Sequence, residues 1–308
     1  MTSSGGASPE AATGVTRGAL VAELAEVLGA PHEARFVVDE ALGLGLVLGR
    51  PDVPSGPLDP AVVVSARAMA NRRAAGEPLQ YVFGHWPFRS LDLLVDPRVL
   101  IPRPETEQLV DVALREAQRL TRPGGLVTVD AGTGSGAIAL SLAAELGRGR
   151  VSAVWAVDTS GNALDVAMAN LARVTPAGSQ WPPVRFLESD WLQGLPDELR
   201  GGIDLVVGNP PYVSEEEWRH LDPVVRSEPR PALVAGAGTD GTPGLADLEE
   251  LLLQSMDWLA RPGTVVLELA PMQADAATAT ALRMGYGDVR VEPDLARKPR
   301  TLVARVTE

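Results

Sequence analysis

The sequence of 308 residues contains no cysteine, and this absence excludes several kinds of chemistry at once. Disulfides, thiolate metal sites and cysteine nucleophiles all require the missing thiol. The three histidines, His32, His85 and His220, are widely scattered and lack the spacing of metal ligands. We therefore predict that the protein holds no metal.

Long apolar runs are missing as well. No run reaches the roughly 18 residues that a membrane-spanning helix requires. The first residues also lack the basic segment and the apolar stretch of a secretion signal. We therefore expect a cytoplasmic protein that does not associate with membranes.

Positive charge is scarce relative to negative charge. The chain has 27 lysines and arginines against 40 aspartates and glutamates, which gives a formal net charge of −13. Because an acidic chain repels a phosphate backbone, we expect no direct binding of nucleic acid. The 45% of hydrophobic residues is enough for a substantial core, and the length favours two domains.

The N-terminal quarter predicts a small helical domain. Residues 1–14 are polar and are expected to form a disordered leader. Apolar residues then recur at helical spacing, which predicts a helical domain over 15–78 with helices at about 16–29, 32–48 and 59–75. We interpret this domain as the part that recognises the substrate.

Short apolar runs follow the helical domain, around Gly84 and over 91–95. They predict a β-hairpin inside a linker over 79–104. From 105 to 308, strand and helix signals alternate, with strands predicted at 126–130, 151–158, 184–189, 203–208, 264–270, 287–292 and 301–306. Such alternation indicates an α/β, Rossmann-like domain with a mostly parallel sheet, whose ligands bind at the carboxyl ends of the strands.

A glycine-rich turn follows the first of these strands and opens a helix. Gly132, Gly134 and Gly136 allow positive φ angles and let a ligand approach the backbone. The helix N-terminus beyond them presents free N–H groups to an anionic group. Asp158 ends the next strand, where an acid can accept hydrogen bonds from ribose hydroxyls. This pattern fits S-adenosylmethionine and NAD equally well.

A second motif, Asn209-Pro210-Pro211-Tyr212, follows the predicted strand 203–208. Two prolines fix φ, remove two donors and leave a stiff turn that offers carbonyl oxygens. The Asn209 side-chain oxygen and the Pro210 carbonyl can accept both hydrogens of a planar NH₂ group, and Tyr212 can stack on its face. The turn therefore favours methyl transfer to an amide or amino nitrogen, achieved by positioning and electrostatics.

Further candidates lie at other strand ends and before the first long helix of this domain. Asp190 and Trp191 follow the third strand, where they can bracket an adenine. Arg103 and Glu105 can orient the substrate, or the acid can stabilise the first turn of the helix that follows. Glu268 ends the fifth strand and is either a site residue or half of a buried ion pair.

Taken together, these residues resemble the release factor glutamine methyltransferase family. The resemblance covers about 60–308 and is carried by the segments GEPLQYVFG, VDPRVLIPRPETE, DAGTGSGAIALSLA, SDW, GNPPY and LDPVVRSEPRPALVAG. It implies a seven-stranded class I methyltransferase fold with S-adenosylmethionine as cofactor. The activity that it implies is N5-methylation of the glutamine in the Gly-Gly-Gln motif of class I peptide-chain release factors.

The resemblance also assigns site residues by position. It implies catalysis by Asn209, Pro210 and Tyr212 and substrate binding by Asn209, Pro210, Pro211 and Tyr212. From their position before the first long helix we add Arg103 and Glu105 to the predicted substrate-binding residues. The cofactor-binding residues that we predict are Asp130, Gly132, Thr133, Gly134, Ser135, Gly136, Asp158, Asp190, Trp191 and Asn209. We expect a monomer whose partner is the release factor.

Other functions stay open on the residues alone. The acceptor motif suits any planar amine, so an adenine-N6 methyltransferase acting on DNA or RNA is one alternative. N5-glutamine methylation of another protein, such as a ribosomal protein, is a second. A catalytically silent module that binds NAD is a third.

Overall fold

The structure, a computed structural model, describes residues 14–45 and 56–307. The predicted leader over 1–14 lies outside these ranges except for Gly14. The chain divides into two compact units, with the boundary between Phe83 and Gly84. Among the described residues, no helix is both long enough and apolar enough to cross a membrane, and no cluster of side chains could hold a metal ion.

The first unit is helical. Its helices are α1 (Arg17–Leu28), α2 (Pro31–Ala41), α3 (Pro60–Ala74) and α4 (Leu79–Phe83). Helix α1 begins where the Thr16 hydroxyl accepts a hydrogen bond from the Ala19 amide at 3.3 Å, and it ends at Gly29, whose φ is 62°. The core joins the apolar faces of the helices through Leu20, Leu24, Ala34, Val37, Val38, Val63, Ala66 and Ala70.

Helix α2 is shorter than the predicted span of 32–48. It ends at Ala41, and Gly43 and Gly45 follow with φ angles of 68° and 64°. Two left-handed glycines within three residues stop a helix, although the apolar spacing continues past them. Residues 46–48 of the predicted helix lie outside the described part of the chain.

The second unit contains a hairpin, a large sheet and the helices that flank it. The hairpin strands are β1 (His85–Phe88) and β2 (Leu91–Leu94). The sheet strands are β3 (Leu126–Ala131), β4 (Val151–Asp158), β5 (Val184–Glu188), β6 (Ile203–Gly208), β7 (Leu259–Glu268), β8 (Asp288–Pro293) and β9 (Pro299–Val306). The helices are α5 (Pro104–Arg119), α6 (Ala137–Leu146), α7 (Gly161–Val174), α8 (Glu215–His220), α9 (Ala246–Trp258) and α10 (Ala274–Met284).

The predicted hairpin is present, but it packs within the second unit. Phe88, Leu91 and Leu93 are buried in the core of that unit. The side-chain amide of Asn170 on α7 also accepts from the Leu94 amide at 2.6 Å and donates to the Leu94 carbonyl at 3.0 Å. The proposed linker is therefore divided, because α4 belongs to the first unit and the hairpin to the second.

The sheet has the strand order β5-β4-β3-β6-β7-β9-β8, and the predicted α/β, Rossmann-like fold is confirmed. Strands β3 to β7 are parallel, whereas β9 runs antiparallel to both β7 and β8. Alternate residues of the strands enter two apolar cores. Leu205 and Val207 of β6 enter the core that contains α5 and α6, while Val206 enters the core that contains α9.

The chain order reverses between β3 and β6, which are neighbours in the sheet. A reversal of this kind opens a crevice beyond the carboxyl ends of the two strands. Ala131 and Gly208 are paired, so the segments that begin at Gly132 and Asn209 leave the sheet side by side. A β-carbon on Gly208 would approach the Ala131 carbonyl oxygen to 2.8 Å, so glycine lets the two strand ends lie close together.

Candidate active site

A cavity of about 430 Å³ lies at the carboxyl ends of β3, β4, β5 and β6. Its volume lies within the range of small-molecule sites. The residues that line it include at least two from the segment after each strand: Gly132, Gly134, Thr159, Ser160, Ser189, Asp190, Trp191, Asn209 and Pro211. Asp158, the last residue of β4, also lines the cavity. The two motifs found in the sequence therefore meet in one place.

The glycine turn between β3 and α6 contains three residues with positive φ: 76° at Gly132, 54° at Gly134 and 84° at Gly136. A β-carbon on Gly134 would meet no protein atom within 4 Å, so this position borders open space. A β-carbon on Gly136 would instead lie 3.2 Å from side-chain atoms of Ala167 and Leu140. Gly134 thus leaves room for a ligand, whereas Gly136 allows close packing.

Asp130, near the end of β3, contacts the turn but does not line the cavity. Its Oδ2 accepts from the Thr133 hydroxyl at 2.6 Å and from the Ala139 amide at 2.9 Å. Burial raises the pKa of this carboxyl to about 7, although both hydrogen bonds lower it. The bond between Thr133 and Asp130 helps to hold the shape of the turn. Oδ1 of Asp130 has no hydrogen-bond partner in the described structure, and cofactor binding by both residues stays a prediction.

Ser135 and Gly136 were also predicted to bind the cofactor, and this role stays a prediction. Both are buried and lie outside the described cavity lining. The Ser135 carbonyl accepts a hydrogen bond from the Asn170 side chain at 2.9 Å, so α7 holds the end of the turn.

Asp158 lies at the edge of the cavity with both carboxylate oxygens engaged. Oδ2 accepts from the Gly134 amide and Oδ1 from the Ser160 amide, each at 2.9 Å. Burial raises the pKa of Asp158, and the hydrogen bonds from backbone amides oppose that rise. The Thr159 amide contributes a third such hydrogen bond. A carboxylate has about four acceptor positions, so acceptor capacity remains for a ribose hydroxyl.

Trp191 forms part of one wall. Its φ is 48°, which is unusual for a residue with a side chain. The Ser189 hydroxyl stabilises this turn, since it donates to the Trp191 carbonyl at 2.8 Å and accepts from the Gly194 amide at 2.9 Å. The indole lies against the glycine turn, 3.4 Å from where a β-carbon of Gly132 would be. Asp190 is exposed at the rim.

Asn209 is half-buried and its side-chain amide is oriented by a buried hydroxyl. Nδ2 of Asn209 donates to Oγ1 of Thr106 on α5, at 3.3 Å. The same hydroxyl donates to Oε2 of Glu268 at the end of β7, at 2.8 Å. The amide nitrogen of Asn209 is thus engaged by the protein, and its oxygen is left to accept hydrogens from a ligand.

The remaining residues of the acceptor turn separate into two groups. Pro211 lines the cavity, whereas Pro210 is buried beside it. Tyr212 lines a second depression together with Glu216, Glu217, His220 and Ala270. Burial and then the charge of Glu268 raise the pKa of the Tyr212 phenol, so the hydroxyl stays protonated near neutral pH.

Arg103 and Glu105 are not among the described residues that line the cavity. Arg103 forms an ion pair with Glu228, whose side chain is only 2% exposed. Glu228 also accepts a hydrogen bond from the Ile101 amide at 3.0 Å. Arg103 therefore attaches the segment around Glu228 to the start of α5, and substrate binding by Arg103 stays a prediction. Glu105 lies in the first turn of α5, where an acid stabilises the helix.

Several lining residues were missed by sequence reasoning. Asp247 lies in the first turn of α9, and burial, followed by the charge of Asp190, raises its pKa. Two further segments complete the walls with Arg98, Val99, Leu100, Pro229, Pro231, Ala232 and Val234. Both segments belong to the stretches that carry the family resemblance, which was the signal that could have identified them.

Acidic groups dominate the charge of the lining. Asp158, Asp190 and Asp247 provide carboxylates, and Arg98 provides the one guanidinium among the described lining residues. That guanidinium bonds to Asp96 at 2.6 Å. Such a lining favours a cationic ligand over an anionic one. S-adenosylmethionine carries a sulfonium and NAD carries two phosphates, so the charge favours the former.

Comparison with known proteins identifies the family of this chain. The family model described as "Methyltransferase small domain" matches residues 115–223. The release factor glutamine methyltransferase of Burkholderia pseudomallei is 37% identical over 276 residues, covering 89% of this chain and 91% of that protein. The chain belongs to the release factor glutamine methyltransferase family. The protein of that name from Moorella thermoacetica is 39% identical over 282 residues, covering 90% of this chain and 93% of its own.

A solved structure supports the fold. The hMettl16 catalytic domain, solved in complex with a hairpin, superposes with a TM-score of 0.53 at 14% identity, covering 94% of this chain and 91% of that chain. At this identity the likeness concerns the fold alone. Membership of the release factor glutamine methyltransferase family, together with the matching methyltransferase domain, implies a methyl donor of the S-adenosylmethionine type.

Proposed function

We propose that this chain transfers the methyl group of S-adenosylmethionine to the side-chain nitrogen of a glutamine, N5, in the Gly-Gly-Gln motif of a class I peptide-chain release factor. The observation that carries the proposal is the position of Asn209, beside the glycine turn and with its amide nitrogen bonded to Thr106. The relatives that share the family are named for this activity.

The residues around the cavity fit the proposed cofactor. Gly134 borders open space that a side chain would fill, and Asp158 retains acceptor capacity for a ribose hydroxyl. The indole of Trp191 offers a flat apolar surface for adenine, with Asp190 at the rim. When bound, S-adenosylmethionine supplies an electrophilic methyl group on a cationic sulfur, and the acidic lining complements that charge.

The acceptor turn provides what an amide nitrogen needs in order to react. The Asn209 Oδ1 and the Pro210 carbonyl accept the two N–H groups of the glutamine, which favours pyramidal nitrogen and frees its lone pair from the carbonyl. Tyr212 contributes an aromatic surface beside the turn. Bound S-adenosylmethionine would supply the methyl carbon and keep the electron pair of the carbon–sulfur bond, and the methylated nitrogen would release one proton to solvent. The protein acts by orientation and by stabilising the developing positive charge.

The partner is a folded protein in this proposal. The first unit has a core of its own and supplies a separate surface for recognition of the release factor. The protein acts as a monomer, without direct contact to nucleic acid. Its net charge of −13 supports the second point, because a phosphate backbone is repelled by an acidic protein.

The test is transfer of labelled methyl from S-adenosylmethionine to a purified class I release factor. We expect label on the native factor and none on a variant in which the glutamine of the Gly-Gly-Gln motif is alanine. Mass spectrometry of the labelled peptide should find one methyl group on the glutamine side chain. The short peptide alone should react more slowly than the folded factor, because it lacks the surface that the first unit would recognise.

Two results would contradict the proposal. Label on duplex DNA in the absence of label on the release factor would indicate an adenine methyltransferase instead. Calorimetry that detects NAD binding but no S-adenosylmethionine binding would contradict the cofactor assignment. A glutamine elsewhere, for instance in a ribosomal protein, would be revealed by labelling a ribosomal fraction in parallel.

A further inference from the structure

We propose that Thr106 and Glu268 are positioning residues that fix which end of the Asn209 side-chain amide faces the acceptor. The inference rests on the proposed function, since the oxygen of that amide is the end that a glutamine NH₂ group needs. Neither residue lines the cavity, and both act through Asn209.

The three side chains form a chain of hydrogen bonds with a defined direction. A hydroxyl has one hydrogen to donate, and Thr106 gives it to Oε2 of Glu268 at 2.8 Å. Towards Asn209 the hydroxyl can then only accept, which selects the NH₂ end of the amide as its partner at 3.3 Å. A carboxylate at 268 thereby turns the oxygen of Asn209 towards the cavity.

Burying these polar groups costs folding free energy, which suggests that they serve a function. Thr106 is 4% exposed and Glu268 is 1% exposed, and Oε1 of Glu268 has no hydrogen-bond partner in the described structure. A leucine or methionine would fill the same space without the cost of burying a charge. The three residues come from α5, the turn after β6 and the end of β7, so the hydrogen bonds join three separate segments.

Protonation of Glu268 would remove the directional constraint. A protonated carboxyl can donate to Thr106, whose hydroxyl can then donate to the oxygen of Asn209 and withdraw it from the acceptor. Burial raises the pKa of Glu268 to about 7, although the Thr106 hydrogen bond lowers it. Among the nearby charges, Arg300 and Arg103 lower this pKa and Glu105 raises it. The Tyr212 phenol also faces Glu268 and remains protonated in this range. The turnover number should therefore fall as the pH decreases through about 7.

The first experiment replaces the hydroxyl while keeping the shape. We expect Thr106→Val to lower kcat for the release factor by roughly 10-fold or more, with the Kd of S-adenosylmethionine unchanged. Thr106→Ser, which restores the hydroxyl, should recover most of kcat. The matched control is Thr128→Val on β3, since the Thr128 hydroxyl is equally buried but has no hydrogen-bond partner in the described structure. This control should leave kcat unaltered.

The second experiment tests the direction of the hydrogen bonds and does not depend on the first. Glu268→Gln carries no charge and, like the protonated carboxyl, can both accept from and donate to Thr106 at every pH, so we expect its kcat to stay near the acid-side value. Its kcat, measured with saturating cofactor, should lose the decline below pH about 7 that we expect of the unaltered protein. Glu268→Met, which cannot accept at all, should lower kcat across the whole pH range.

The outcomes separate this inference from the function on which it rests. Full kcat in Thr106→Val, or an unchanged acid decline in Glu268→Gln, would overturn the positioning role while leaving the methyltransferase activity intact. No methylation of the release factor by the unaltered protein would overturn both. If Thr106→Val does not fold, the pH profile of Glu268→Gln still decides the question.

Discussion

The backbone amide of Gly134 donates a hydrogen bond to the Asp158 carboxylate at 2.9 Å. The contact ties the glycine turn after β3 to the end of β4, and both residues line the cavity. The turn is thereby held open by a group that also offers acceptor capacity to a ribose. The Asp158 carboxylate thus supports the glycine turn and is also predicted to bind the cofactor. A change in the turn should therefore affect cofactor binding.

Replacing Gly134 with alanine should weaken cofactor binding. The methyl group would enter open space at the cavity, and a side chain at a φ of 54° costs roughly 1–2 kcal/mol of stability. Gly124→Ala is the matched control, because Gly124 also has a positive φ, 86°, and open space around it, but does not line the cavity. We expect similar loss of stability in both variants and a Kd for S-adenosylmethionine raised roughly 10-fold, equivalent to about 1.4 kcal/mol, in Gly134→Ala alone. Equal Kd values would remove the turn from the cofactor site.

Most of the second unit could be predicted from the sequence, for a physical reason. Strands of a parallel sheet are buried on both faces, so they read as short continuous apolar runs between glycine and proline turns. The strands β4 and β6 occupy the predicted residues 151–158 and 203–208. Strand β7 begins at Leu259, before the predicted 264, because the pairing of Ile203 with Leu259 extends the ladder past a register shift.

Contacts between distant segments could not be predicted in this way. Thr106 and Asn209 are 103 residues apart, and Arg103 and Glu228 are 125 residues apart. Local periodicity says which face of an element is buried, but it carries no information about which polar side chain will be opposite. For this reason the sequence did not predict Glu228 as the partner of Arg103.

Replacing Asn209 with alanine should separate catalysis from cofactor binding. The variant loses the oxygen that would accept a hydrogen from the glutamine, while the glycine turn and Asp158 stay intact. We expect kcat to fall by roughly 100-fold or more, with little change in the Kd of S-adenosylmethionine. Single-turnover kinetics on the release factor and calorimetry with the cofactor measure the two quantities. An unaltered kcat would exclude Asn209 from the mechanism.

The stability of the protein should depend on the protonation of Asp130. Burial raises the pKa of this carboxyl from 3.8 to about 7. The folded state therefore holds this proton more tightly than the unfolded state does. The resulting contribution of Asp130 to the free energy of unfolding is complete below pH about 3.8 and is lost as the pH rises to about 7. Relative to Asp130→Asn, the unaltered protein should lose roughly 1.4 kcal/mol of unfolding free energy per pH unit within that window. Denaturant unfolding at several pH values measures the difference, and a constant difference would contradict the assignment.

Glu228 should stabilise the wall of the cavity far more than a surface ion pair does. Its side chain is 2% exposed and bonds to both Arg103 and the Ile101 amide, so Glu228→Ala leaves a buried donor and a cation unpaired. We expect a loss of about 3–5 kcal/mol in the free energy of unfolding. Glu215, whose side chain is 57% exposed, pairs with Arg230 near the same segment, and Glu215→Ala should cost less than about 1 kcal/mol. Urea unfolding of both variants measures the two losses. Equal losses would mean that the buried Glu228 pair stabilises the protein no more than an exposed ion pair does.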